Sequence, residues 1–121
     1  MTSATSPYQR LIVPTFQTLE LVDVNDIISI KAFENYSRIF LTEKRIYTST
    51  QAFGKFVTLL SHHNFYQSHK SYVVNLNHLV RYHKNGEIEM AEGIKIPVAR
   101  RRKEEFLENL ILQLKVPQNQ Y

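Results

Sequence analysis

Apolar and polar residues alternate through most of the first half of the chain, with the two-residue period of a half-buried β-strand. Many of the apolar positions are β-branched or aromatic, which also favours strands. The side chain of Asp23 or of Asn25 can accept a backbone amide hydrogen bond and so cap a single helical turn. Residues 34–37 are predicted as a loop, and Glu43-Lys44 are predicted as a hairpin turn. The segments that the alternation predicts as strands are 11–14, 18–22, 27–33, 38–42 and 45–48. The last three of these strands follow one another across short turns and predict an antiparallel meander.

The second half mixes strand and helix periods. Apolar residues on one face predict a mid-chain helix over 51–60, with Ser49 or Thr50 as its N-cap. A C-terminal helix over 100–114 is predicted from an apolar stripe made of Phe106, Leu107, Leu110, Ile111 and Leu114. Between the helices, strands are predicted over 65–67, 72–74, 78–83, 87–91 and 94–98, with a hairpin turn at Asn85-Gly86. The predicted fold class is therefore mostly β (a β-rich α+β domain), with one short helix mid-chain and one at the C-terminus.

Length and composition favour one small intracellular domain. The 121 residues suffice for a single core, and we expect the domain over 10–115, a disordered N-terminal tail over 1–9 and a C-terminal tail over 116–121. No apolar run has the length of a membrane span, and the start lacks a signal-peptide core. The chain has no cysteine, which excludes disulfides and fits a reducing compartment. A cytoplasmic location is the expectation.

The motifs of catalysis and metal binding do not occur in the sequence. There is no Gly-rich phosphate loop, no His-Glu-x-x-His and no Gly-x-Ser-x-Gly. His62, His63 and His69 lie close together in the sequence, but their spacing matches no zinc pattern. We therefore predict neither an enzyme nor a bound metal or cofactor.

The basic residues are placed more informatively than the net charge of +4 suggests. Segment 95–103 contains five Lys and Arg residues and no acidic one. Arg100, Arg101 and Arg102 fall in the first turn of the predicted last helix, where cations oppose the helix dipole. Helix stability does not favour that placement, so something other than helix formation explains it. The mild basic excess of the chain fits an anionic partner.

Three predicted loops or junctions carry side chains that suit nucleic acid. Arginine forks bind guanine edges or phosphates, asparagine suits adenine, and lysine supplies a point charge. Each loop taken singly is more simply a solvated surface, and Tyr36 is as well explained by packing against a neighbouring strand. The candidate DNA-binding residues are Asn35, Tyr36, Ser37 and Arg38 in the first loop, His69, Lys70 and Ser71 in the second, and Arg100, Arg101 and Arg102 in the third.

Two functions of different classes follow from these residues. One is binding of double-stranded DNA by a sequence-specific transcription regulator. The alternative is a small β-rich protein–protein interaction module whose basic face meets an acidic partner.

Two runs of residues resemble a known family. His69-Lys70-Ser71-Tyr72-Val73-Val74-Asn75 is similar to the central signature of the LytTR family of bacterial DNA-binding domains. Downstream, Ile96-Pro97-Val98-Ala99-Arg100-Arg101 is similar to a second run of that family, with alanine where serine is usual. Both runs stand in the family's order and spacing, and the resemblance covers about residues 10 to 112.

The resemblance implies elongated antiparallel sheets with two short helices, and a transcription regulator of a bacterial two-component system. It implies that loops enter successive grooves of double-stranded DNA, at paired direct repeats in promoters. The middle contact would fall on Lys70, and the third on Arg100 or Arg101, with Arg101 the first choice for a base edge. Alanine at 99 provides no hydroxyl for a phosphate. Further partners would be a receiver domain in cis or a membrane-bound regulator in trans, and a possible homodimer on DNA.

Overall fold

The computed structural model describes residues 9–113, and the elements of that part of the chain are strands joined by short turns, with two α-helices. The strands are β1 (Arg10–Pro14), β2 (Leu19–Asp23), β3 (Ile27–Phe33), β4 (Tyr36–Leu41), β5 (Ile46–Ser49), β6 (Phe65–His69), β7 (Tyr72–Asn75), β8 (Leu79–His83), β9 (Glu87–Met90) and β10 (Lys95–Pro97). The helices are α1 (Phe53–Leu59) and α2 (Lys103–Gln113). Short 3₁₀ turns occupy Val24–Asp26, Leu76–His78, Ala91–Gly93 and Arg100–Arg102.

All strands pair antiparallel, in three sheets. β1 and β2 form a two-stranded sheet, and β10, β9 and β8 form a three-stranded sheet in that order. The central sheet has five strands in the order β5-β4-β3-β7-β6. The predicted mostly β fold, with one helix mid-chain and one near the C-terminus, is confirmed.

The central sheet buries both of its faces. One face packs with β1, β2 and α1 around a core that includes Val13, Ile30, Ile39 and Phe56. The other face packs with the three-stranded sheet and α2 around a second core made of Ile28, Val74, Ile88, Met90, Ile96, Val98 and Phe106. Apolar burial on both faces is the main stabilising contribution.

A β-bulge at Ile28 allows β3 to supply both cores. The β3–β4 register shifts between Ile27 and Ser29, so an extra residue lies on β3. Ile28 therefore belongs to the second core, whereas Ile27 and Ile30 belong to the first. Regular alternation would place Ile28 and Ile30 on one face, and the bulge instead directs them into different cores.

Asn75 stabilises the same region from the end of β7. It is 1% exposed, and its amide Nδ2 donates to the Ile27 carbonyl oxygen at 2.9 Å. Its Oδ1 accepts from the Asn77 amide at 3.0 Å and so caps the following 3₁₀ turn. This buried polar side chain joins β7 to the bulged strand.

The start of α1 differs from the prediction. The helix begins at Phe53 with Ala52 as N-cap, and no side chain caps it. Ser49 instead donates its hydroxyl to the Pro14 carbonyl at 2.7 Å and accepts from the Gln51 amide at 3.1 Å. The predicted cap is therefore engaged in joining β5 to β1.

The last helix also begins later than predicted. Arg100–Arg102 form a separate 3₁₀ turn, and α2 starts at Lys103 with Glu104 and Glu105 in its first turn. Those carboxylates favour the helix dipole, whereas the three arginines precede the α-helix. The prediction of one continuous helix from residue 100 is wrong, and its last apolar position, Leu114, lies outside the described residues.

Two predicted loop boundaries also change. Tyr36 and Ser37 belong to β4 rather than to the predicted loop, and His69 belongs to β6. Apart from Gln9, the predicted tails lie outside the described residues. Within residues 9–113, no helix is long and apolar enough to span a membrane.

Candidate nucleic-acid interface

The first and second predicted loops lie at one end of the central sheet. Phe33 pairs with Tyr36 across the β3–β4 turn (Glu34-Asn35), and Lys31 pairs with Tyr72. The Ala32 amide donates to the Ser71 carbonyl at 2.8 Å, which fixes the β6–β7 turn (Lys70-Ser71) beside the end of β3. The two turns are therefore about two strand spacings apart, or about 10 Å.

A bulge in β6 brings the third loop to the same end. The β6–β7 register shifts between Tyr66 and His69, so the bulge falls at Gln67 and Ser68. The Ser68 carbonyl accepts from the Ala99 amide at 2.8 Å, and the Ser68 hydroxyl donates to the Pro97 carbonyl at 3.1 Å. β6 is an edge strand, and Ala99 bonds to the backbone of this edge at the Ser68 carbonyl.

Ala99–Arg102 are called here the arginine segment. The three arginines of this segment differ in solvent exposure. Arg102 is half-buried, and its Nη1 donates to the Gln67 carbonyl at 2.6 Å. Arg100 and Arg101 are exposed. Among residues 9–113, no carboxylate lies within ion-pair distance of either. Arg102 thus anchors the segment to β6, while Arg100 and Arg101 face solvent.

The two candidate residues Lys70 and His69 at the β6–β7 turn differ in exposure and in their contacts. Lys70 is exposed, and its carbonyl accepts from Gln67 Nε2 at 3.3 Å. His69 Nδ1 accepts from the Ser71 amide at 3.1 Å, so the neutral ring carries its proton on Nε2. The His69 ring also lies edge-on to Tyr72, at 5.6 Å between centroids. Lys70 therefore presents a charge, and His69 a fixed ring with a donor.

The candidate residues of the first predicted loop differ in exposure, and they are not all accessible to a ligand. Asn35 is exposed in its turn, but Ser37 is fully buried and its hydroxyl donates to the Gln51 carbonyl at 2.8 Å. Tyr36 packs edge-on against Phe16, at 5.3 Å between centroids. The side chains of this group do not all reach one surface.

Two cations at this end lie over aromatic rings. The Arg38 guanidinium lies 4.2 Å from the centroid of Phe33, and Lys31 Nζ lies 5.7 Å from the centroid of Tyr72. Such contacts hold a cation in place while leaving its charge available. The sequence offers no reason to select Lys31 as a candidate, because only its cross-strand pairing with Tyr72 and Arg38 reveals its position.

Helix α2 docks beside the arginine segment through Phe106. Phe106 is fully buried, with ring centroids 5.2 Å from Tyr66 and 5.8 Å from Tyr82. The Tyr66 hydroxyl donates to Glu105 Oε1 at 3.0 Å. Burial first, and then the hydrogen bond and negative charge of Glu105, raise the pKa of Tyr66 to about 12, although Arg102 opposes the shift.

This tyrosine makes the stability of the domain sensitive to alkaline pH. An unfolded tyrosine titrates near pH 10, so the folded state holds the Tyr66 proton more tightly. Its contribution is complete below about pH 10 and is lost as pH rises toward about 12. We expect the free energy of unfolding of the wild type to fall more steeply over this interval than that of Tyr66→Phe. Urea unfolding across the interval measures the difference, and parallel pH dependences would contradict the assignment.

Among residues 9–113, no group of three or more His, Cys, Asp and Glu side chains is arranged to hold a metal ion. The site consists of hydrogen-bonded turns that carry arginine, lysine, histidine and amide groups.

The fold and the site together define a β-rich domain in which exposed Lys70, Arg100 and Arg101 lie on neighbouring segments at one end of the central sheet. The chain belongs to the LytTr DNA-binding domain family, whose model matches residues 17–111. The resemblance carried by the two sequence runs is thereby confirmed. The family is one of DNA-binding domains, not of catalysts.

A solved structure has the same fold. It is the LytTr DNA-binding domain of a protein described as a methyl-accepting/DNA response regulator from Bacillus cereus. The TM-score is 0.72 at 20% sequence identity, over 84% of this chain and 95% of that one. A comparison with curated proteins found no match.

Proposed function

We propose that this protein is a sequence-specific, double-stranded DNA-binding transcription regulator that reads DNA through turns of a β scaffold. The observation that carries the proposal is the hydrogen-bonded junction between the arginine segment and the bulged edge strand β6. That junction sets exposed Arg100 and Arg101 beside the turn that carries Lys70. DNA attracts such cations through its phosphates and is read through its base edges.

Anchoring of the backbone that carries Arg100 and Arg101 supports specific reading. Bidentate recognition of a guanine edge requires a guanidinium at a fixed position. The arginine segment is held at Ala99, at Arg102 and, through Pro97, by Ser68. In the proposal Arg101 contacts a base edge and Arg100 a phosphate. Arg102 positions both and makes no primary DNA contact.

The other turns take complementary roles. Lys70 contacts a phosphate, and His69 offers its Nε2 proton to the same backbone. Asn35 is the contact proposed for the first turn, supported by its exposure. Buried Ser37 has no place in the contact surface.

The type of DNA site, the partner proteins, the oligomeric state and the cellular location are proposed from membership of the family alone. It comprises paired direct repeats in promoters, a receiver domain in cis or a membrane-bound regulator in trans, a homodimer on DNA, and a bacterial cytoplasm. The domain described here supplies the DNA-reading part of that assembly.

Lys70→Ala tests the proposed surface by its salt dependence. One phosphate contact contributes about 0.9 to the slope of log affinity against log salt, through counterion release. We expect Lys70→Ala to reduce the magnitude of that slope by about 1 on a duplex of random sequence, measured by fluorescence anisotropy.

The matched control is Lys44→Ala, in the exposed β4–β5 turn at the opposite end of the central sheet. It should keep the wild-type slope. Equal slopes for all three folded proteins would remove Lys70 from the interface. Failure of the wild type to bind duplex DNA would contradict the proposed function and favour an acidic protein partner.

A further inference from the structure

A further cationic segment lies next to the arginine segment. It is the β8–β9 turn (Lys84–Gly86), whose Gly86 carbonyl accepts from the Val98 amide at 2.9 Å. Lys103, at the start of α2, donates its Nζ to the Asn85 carbonyl at 3.4 Å. The β8–β9 turn and the end of β10 therefore lie at the same end of the three-stranded sheet.

The backbone of the turn is shaped for this contact. Gly86 is buried at a φ of +100°, a conformation that other residues rarely adopt. A Cβ at this position would also collide with the side chain of Lys103. The turn can thus approach α2 closely and keep the Lys103 ammonium group against its own carbonyl.

The charges of this region favour an anion. Lys84 is exposed, and no carboxylate of residues 9–113 lies within ion-pair distance of it. Of the acids nearby, Glu89 already contacts His83 at 3.3 Å and Arg81 at 3.7 Å. Glu87 pairs with His83 just after the turn and is the acid that a ligand at Lys84 would meet.

The four segments follow one another in a fixed order. The β3–β4 turn lies beside the β6–β7 turn, the arginine segment is bonded to β6, and the β8–β9 turn is bonded to the residues on either side of the arginine segment. The last three segments carry a row of exposed cations, namely Lys70, Arg100, Arg101 and Lys84. Such a row matches a DNA backbone better than a small anion, because successive phosphates present charge along a line.

From this row we infer that the β8–β9 turn is a fourth DNA-contacting element, in which Lys84, supported by Lys103, binds a backbone phosphate beyond the arginine segment. The inference rests on the proposed function and extends its footprint. Lysine supplies a point charge without base-specific geometry, so this contact adds affinity and register but no sequence preference.

Lys84→Ala tests the inference on two duplexes, one selected from a random pool by the wild-type protein and one of shuffled sequence. We expect affinity for both to fall by the same factor and the salt slope to decrease in magnitude by about 1. The ratio of wild-type to variant affinity should then fall by about fourfold between about 50 and 200 mM salt. Lys84→Arg should retain the wild-type slope, as should Lys55→Ala, at an exposed position of α1.

The outcomes separate this inference from the proposed function. If Lys84→Ala keeps the wild-type slope while Lys70→Ala loses part of it, the fourth contact is overturned and the proposed function stands. If Lys84→Ala weakens only the selected duplex, the phosphate assignment is overturned. If the wild type binds neither duplex, the inference and the proposed function are overturned together.

Discussion

Phe106→Ala should lower the free energy of unfolding by about 3–5 kcal/mol, the usual cost of removing a buried phenyl ring. Phe106 is fully buried in the second core, between the rings of Tyr66 and Tyr82. Its loss leaves a cavity beneath α2 and weakens the docking of the helix that follows the arginine segment. Urea or thermal unfolding of the two proteins measures the loss.

Leu112→Ala on the same helix is the matched control. Leu112 is 85% exposed, so its truncation should change stability by no more than about 0.5 kcal/mol. A Phe106→Ala protein with wild-type stability would contradict the assignment of Phe106 to the core. A destabilised variant that still binds DNA normally would show that the arginine segment is held by β6 alone.

Arg101→Ala should weaken binding to a selected DNA site by about 1–3 kcal/mol and relax the sequence preference at one position. Arg101 is exposed directly beside the anchored Arg102, so its guanidinium is free to meet a base edge. Anisotropy titrations against the selected site and its single-base variants measure both effects. Circular dichroism should show an unchanged fold, because Arg101 contributes to neither core.

Arg102→Ala provides a contrast at the neighbouring position. Loss of its bond to the Gln67 carbonyl loosens the whole arginine segment, so preference should weaken at several positions rather than one. If Arg101→Ala left affinity and preference intact while Arg102→Ala changed one position only, the two roles would be reversed. If Arg101→Ala reduced binding equally for every sequence, Arg101 would be a phosphate contact.

Several elements follow from local sequence pattern, which explains why they were predictable. Alternation in 27–33 predicted β3 over the residues it occupies. Asn85-Gly86 lies in the turn between β8 and β9, as its sequence indicates. Asp23 accepts from the Asn25 amide at 2.9 Å, the cap expected from its side chain. In each case the residues that decide the structure are neighbours in sequence.

What could not be predicted depends on residues far apart in sequence. The bulges at Ile28 and at Gln67-Ser68 are defined by partner strands, and without the second bulge the anchoring of Arg102 is invisible. Ser49 is a favourable N-cap by type but bonds to Pro14 instead. The residues of the predicted loop over 34–37 likewise gave no sign that Ser37 is buried and donates to the Gln51 carbonyl.

In the candidate site, too, some residues could be predicted from the local sequence and others could not. The runs around Lys70 and Arg101 identified the family and the chemistry, and both residues are exposed. Lys31 and Lys84 carry no local signal, because their positions depend on the pairing of Lys31 with Tyr72 and on the hydrogen bond between Gly86 and Val98. The sequence therefore indicated the type of ligand, while the extent of the surface required the structure.

Sequence-specific reading of DNA is tested most directly by comparing wild-type affinity for a duplex selected from a random pool with affinity for its shuffled counterpart. Near physiological salt, the selected duplex should bind at least about 100-fold more tightly, since each mismatched base pair costs about 1–3 kcal/mol. The difference should persist as salt rises, while both affinities fall together. Equal affinity for the two duplexes, or failure of the pool to yield a common sequence, would contradict the proposal.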